Sequence, residues 1–293
     1  MKKILVPTDF SFPAKNAGHY AMHLAKEMKA DVKLCNAILV PGEALMANRV
    51  AWPLADYSAL KEESDTELRS LVKSMNATFE LESAADFHHP EIEYTTEVGG
   101  LKEVVSNLAH HHDISLVGMG MSGATGLDKF LMGGNSRALI ESAAFPILLI
   151  PKEARFRKID KIAFATDLNE GDVEKIHLLS GFARIFDAEI LIIHISDSSA
   201  DHQPKDQPAI DAFLNQITNK VNYHKIYYEY IWNVEVDKGL DWLIEQGKIS
   251  MLAMVHRNKS LFNRLFKGSH TQRIKNRIAI PLLVFPESLH RNF

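Results

Sequence analysis

The chain has 293 residues, 46% of them hydrophobic and 24% charged, and a formal net charge of −4. That length suits about two domains of roughly 100 to 200 residues each, and the slight acidity excludes broad electrostatic capture of nucleic acid. No apolar run approaches a membrane span or a secretory core, and a lone cysteine, Cys35, builds neither a disulfide framework nor a cysteine zinc site, so a cytoplasmic protein without membrane or nucleic-acid partners is expected.

In chain order, Lys3 to Pro7 reads as a short apolar strand that ends at Thr8 and Asp9. Ala14, Ala17, Ala21, Leu24 and Ala25 then recur at three- and four-residue spacings, the stripe of a helix lying close on a sheet. A second strand runs from Ala30 to Ile38 and carries Cys35, read as a buried structural thiol. From Pro41 to Pro90, helical spacing at Leu60, Leu68, Leu71 and Val72 marks a longer crossover helix, a lid over the crevice or a partner surface. His110, His111 and His112 fall where the next helix should end, a place that suits the negative end of its dipole. Adjacent histidines on a helix point in different directions, so these and the His88–His89 pair are read as surface groups rather than metal ligands.

Ile114 to Met119 is apolar without polar alternation, as in a parallel strand covered on both faces. It feeds Gly120 and Gly123, and after nine residues come Gly133, Gly134, Asn135 and Ser136, followed by a helix from Arg137 to Ala144. Strand, glycine loop, helix start is an order that suits an anion, because glycine lets the backbone approach a ligand and the N–H groups at a helix start favour negative charge. Lys129, inside the loop, is read as solvated. Ile147 to Ile150 is a last strand, and Pro151 to Lys158 a charged linker.

The series then repeats. Thr8 and Asp9 recur as Thr166 and Asp167, and Asn36 as His194, all at an offset of 158, while Gly133 meets Gly268 and Pro146 meets Pro281 at an offset of 135. The predicted fold is α/β: two tandem repeats, residues 1–152 and 158–293, each a five-stranded, mostly parallel sheet with helices on both faces, Rossmann-like in plan. Gly118, Gly120 and Gly123 also satisfy a dinucleotide fingerprint, but they follow the fourth strand rather than the first, where that fingerprint belongs.

The start Ile-Leu-Val-Pro-Thr-Asp-Phe-Ser, the run Leu-Val-Gly-Met-Gly-Met-Ser-Gly, the later Gly-Gly-Asn-Ser and the closing Phe-Pro-Ile-Leu-Leu-Ile-Pro resemble the universal stress protein family in its tandem form. The resemblance spans nearly the whole chain. It implies the adenine nucleotide alpha hydrolase-like fold and an ATP site in the first repeat, with magnesium or manganese. In that site Gly120, Gly123, Gly133, Gly134, Asn135 and Ser136 hold the phosphates, Gly134 standing where the family has a hydroxyl residue. Pro7, Thr8 and Asp9 lie beside the ribose or metal-phosphate region, backbone groups of Ala37 select adenine, and Met119 packs nearby.

In the second repeat Val255 and Asn258 stand where two of the glycines should be, so its anion loop reads as broken although Thr166, Asp167, Gly268, Ser269 and Thr271 survive. The expected function is a nucleotide-dependent stress regulator with an internal pseudo-dimer of repeats and room for a homodimer of chains. The alternatives are a nucleotide-free interaction protein and an enzyme, either a weak ATPase or a hydrolase of another substrate, against which stands the lack of a paired histidine base, triad or Walker lysine beside the glycines.

Overall fold

The computed structural model describes residues 2–39, 54–82, 88–111, 113–121, 134–196, 207–232, 238–239, 242–243, 248–257 and 280–287. Among them the first repeat runs β1 (Lys3–Pro7), α1 (Phe12–Met28), β2 (Asp31–Ile38), α2 (Leu54–Glu82), β3 (Ile92–Val98), α3 (Leu101–His111), β4 (Ile114–Met121), α4 (Gly134–Ser142) and β5 (Ile147–Pro151). The second runs β6 (Lys161–Thr166), α5 (Gly171–Phe186), β7 (Glu189–Ser196), α6 (Gln207–Lys220), β8 (Ile226–Trp232), β9 (Met251–His256) and β10 (Leu282–Pro286). Residues 41–53 and 83–87 of the inserted stretch lie outside the described residues. The remainder of that stretch is dominated by the longer crossover helix: α2 has 29 residues and buries Leu68, Leu71, Met75 and Phe79.

The ten described strands form one sheet in the order β3-β2-β1-β4-β5-β10-β9-β6-β7-β8. Within each repeat the pairs are parallel, and β10 meets β5 antiparallel, with Leu283 opposite Leu148. Apolar side chains alternate between two cores. One, beneath α1, α2, α5 and α6, contains Ile4, Val6, Leu24, Leu68, Phe164 and Phe182; the other, beneath α3 and α4, contains Leu5, Val105, Val117, Leu139 and Leu149. Both cores cross the central seam: Leu148 and Leu283 share the first, Leu149 and Leu282 the second.

The sequence explains how α1 starts. Ser11 caps it by accepting the Ala14 N–H at 3.4 Å, and Pro13 fits the first turn, where no N–H is needed. The linker is tied back to this helix. Asn16 Nδ2 donates to the carbonyls of Pro151 (3.1 Å) and Ala154 (3.0 Å), and Phe156 packs on Tyr20 and His23.

Candidate functional site

In each repeat the chain reverses its direction across the sheet at one point, between β1 and β4 and again between β6 and β9. The carboxyl ends of the two strands at such a point open a crevice, the usual ligand position in open α/β sheets. In the first repeat the turn after β1 is held on every polar side. Thr8 donates its N–H to Cys35 O at 2.8 Å, its carbonyl accepts Asn36 Nδ2 at 2.7 Å, and its hydroxyl accepts the Phe10 N–H at 3.0 Å. Phe10 takes φ 61, and Asp9 Oδ1 accepts the Ser11 N–H at 3.0 Å while the Asp9 side chain stays exposed.

Pro7 is buried and forms the last β1–β2 pair, with Cys35. Because Cys35 turns its carbonyl toward β1, Ala37, two residues on, turns its own peptide groups the same way, past the end of β1. Met119 is 4% exposed, in the core beneath α3 and α4.

Gly120 differs from the sequence reading. It lies within β4, paired with Ile150, rather than in a turn. Its missing side chain serves a close approach: a Cβ there would collide with the Pro13 carbonyl and stand 2.8 Å from Ala14 N, both backbone atoms at the start of α1. Gly134, Asn135 and Ser136 form the first turn of α4, which ends at Ser142 rather than Ala144. Gly123, Gly133 and Lys129 lie outside the described residues, as do Asn258, Gly268, Ser269 and Thr271.

The second crevice keeps the turn. Leu168, the counterpart of Phe10, takes φ 63 and donates its N–H to Thr166 Oγ1 at 2.9 Å. The sheet register makes Val255 the counterpart of Gly120, since Ile4 pairs with Leu116 where Ile162 pairs with Met251, and the same sequence offset sets Arg257 against Ser122. The Arg257 guanidinium spans this crevice. Nη1 donates to Asp167 Oδ1 at 3.1 Å, Nη2 donates to Asp172 Oδ1, and Thr166 Oγ1 donates to Asp172 Oδ2 at 2.6 Å. Asp172 is 1% exposed and Lys175 is 4% exposed. Burial pushes the Asp172 carboxyl up from its ordinary value, against the opposing pull of Arg257 and Thr166, and burial pushes the Lys175 ammonium down.

Two features escaped the sequence reading. One is the Arg257 bridge, signalled only by correlated changes between the repeats: Ala14 to Asp172, Ala17 to Lys175, Ser122 to Arg257. The other is a chain of polar side chains behind Thr8. Ser64 Oγ donates to Asn36 Oδ1 at 3.0 Å and lies 2.9 Å from Thr96 Oγ1, and Thr96 donates to Asp65 Oδ1 at 2.6 Å. The signal was a serine four residues before Leu68, on the core stripe of α2. Cys35 is buried, which pushes its thiol up to about 12 and matches an unreactive structural role. His88 is also structural, its Nε2 lying 3.2 Å from Ala30 O.

A family model described as the universal stress protein family matches residues 1–151. A universal stress protein of Methanocaldococcus jannaschii is 28% identical over 151 residues, covering 52% of this chain and 82% of that protein. Among solved structures, a universal stress protein from Archaeoglobus fulgidus has a TM-score of 0.64 at 15% identity, covering 97% of this chain and 96% of its own. A putative universal stress protein from Pseudomonas aeruginosa has a TM-score of 0.52 at 13% identity, covering 97% and 92%. At these identities the two structures speak for the fold alone.

Proposed function

Because the chain belongs to the universal stress protein family, we propose that its first repeat, residues 1–152, binds ATP and that the protein is a nucleotide-dependent regulator rather than an enzyme. The observation that carries this reading is the exposed Asp9 carboxylate at the strand-order reversal, beside a turn whose Thr8 is anchored through N–H, carbonyl and hydroxyl. A crevice fixed in this way is preorganised, so little ordering remains to be done when a ligand arrives. The Ala37 peptide groups, directed past the end of β1, suit the edge of a base, and the first turn of α4 suits phosphate.

The residues present also fit a divalent cation. Asp9 supplies a hard oxygen donor of the kind magnesium and manganese accept, and the ion would offset phosphate charge. Residues 158–293 then act as the degenerate half of an internal pseudo-dimer, their crevice spanned by Arg257. A cytoplasmic setting agrees with the lone, buried Cys35.

Calorimetry with ATP, AMP, cAMP and a nicotinamide dinucleotide, with and without magnesium, tests the reading. The expected result is one adenylate per chain, lost in Gly123→Val, and a ligand-dependent rise in melting temperature that corresponds to about 2.7 kcal/mol at one hundred times Kd. If saturating adenylates leave the melting temperature of the parent protein unmoved, the site assignment fails. Timed phosphate release separates a binder from a slow ATPase.

A further inference from the structure

The two repeats hold the same carbonyl with different chemistry. Thr166 O lies 3.1 Å from His194 Nδ1, and the His194 ring stacks on Tyr230 with centroids 5.4 Å apart. Thr8 O instead takes an amide, and an amide has a second polar atom to satisfy. Asn36 Oδ1 accepts from Ser64, which places a side chain of α2 one residue removed from the turn that presents Asp9.

Packing alone does not call for this arrangement. Ser64 and Thr96 are each 6% exposed in a layer shared with Leu34 and Leu68, both fully buried. An apolar residue at position 64 would extend the stripe of Leu68, Leu71 and Met75, whereas a buried hydroxyl must be hydrogen-bonded to be tolerated. The bonds are also finely counted. Thr96 gives its one hydroxyl proton to Asp65, so the single proton of Ser64 faces two acceptors, Asn36 Oδ1 and Thr96 Oγ1. Ser64 can therefore bond toward β2 and the turn, or toward β3, but not both at once.

We propose that Asn36, Ser64 and Thr96 are positioning residues, a relay through which the placement of α2 sets the Thr8–Asp9 turn and hence the affinity of the first crevice. When α2 holds Ser64 against Asn36, the amide is fixed and the Thr8 carbonyl keeps its donor. When α2 shifts, the amide loses its anchor, and the peptide that leads into Asp9 is free to rotate. Its effect on affinity rests on the nucleotide reading; its effect on the turn does not.

The test joins ATP calorimetry to residue-resolved amide exchange at Phe10 and Ser11, whose N–H groups bond to Thr8 Oγ1 and Asp9 Oδ1. Asn36→Ala is expected to speed exchange at both amides and weaken ATP binding, each about tenfold, as loss of one hydrogen bond to a fixed carbonyl implies. Ser64→Ala should do the same about threefold, since Asn36 keeps its bond but loses its anchor. Asn36→His should restore both readouts toward the parent, because His194 occupies this role in the second repeat. Unchanged exchange at Phe10 and Ser11 in both alanine variants overturns the relay, as does an equal rise throughout α5, which would mark a general loss of stability. If the parent gives no heat with ATP, the nucleotide reading falls, while the exchange measurements still decide the relay.

Discussion

The two crevices share a backbone and differ in what lines it. Thr8 and Thr166, Phe10 and Leu168 repeat the same turn, with the same left-handed residue and the same hydroxyl bond. Around it, the small residues Gly120, Ala14 and Ala17 of the first repeat become Val255, Asp172 and Lys175 in the second, whose turn is also bonded by Arg257. The substitutions form a set. Gly120 admits the start of α1 to direct backbone contact, which a valine in that place would forbid. Val255 takes that place in the second repeat, where Asp172 in the first turn of α5 bonds to Arg257 and Thr166. The turn is thus a property of the scaffold, and what differs is the set of side chains around it, which in the second repeat includes the Arg257–Asp172 ion pair.

Breaking that cluster should give the largest effect. Arg257→Ala leaves Asp172 buried without its guanidinium and is expected to cost about 3 kcal/mol in denaturant unfolding. Adding Asp172→Ala, which copies Ala14, should recover part of the loss, since it removes the stranded carboxylate while Lys175 stays buried and Thr166 loses its acceptor. Failure of the double variant to recover would mean that Arg257 acts through some other contact.

In the first crevice, Gly120→Ala sets a Cβ against two backbone atoms and is expected to cost about 2 kcal/mol, with weaker ATP binding by calorimetry. The matching Val255→Ala has no such clash to create. It should lose about 1.5 kcal/mol through two buried methyl groups and should not alter the ATP titration.

The smallest effect concerns acid. Burial holds His256, the counterpart of Met121, below the ordinary histidine value of 6.5. The folded chain therefore binds fewer protons here than the unfolded chain, so this stability is complete above pH 6.5 and declines as pH falls toward the folded value. His256→Met should flatten the fall in stability between about pH 7.5 and 5.5. Some slope should remain, because burial depresses His19 in the same direction. Identical slopes in parent and variant would remove His256 from the account.

The fold was legible because duplication writes every strand twice: Lys3 to Pro7 and Lys161 to Thr166 both became first strands, and the shortened offset near Gly133 still aligned β4 with β9. At Gly120 the sequence carries only half of the requirement. Sequence shows that a side chain is missing, but only the crossing of α1 over β4 shows what would have met it. The Arg257 bridge and the Asn36 relay were harder still, for each joins residues from three separate elements. Arg257 brings together β9, the turn after β6 and α5; the relay brings together β2, α2 and β3. Periodicity along one element carries no information about such triads.

The antiparallel pairing of β5 with β10 has one more consequence. Every strand of one half points opposite to every strand of the other, so the two strand-end openings sit on opposite rims of a single slab. The described strand ends of the two halves therefore face away from each other. A message between them has to travel through the body of the protein, by the leucines packed at the midline, the contact of α1 with α5, or the linker held on Asn16.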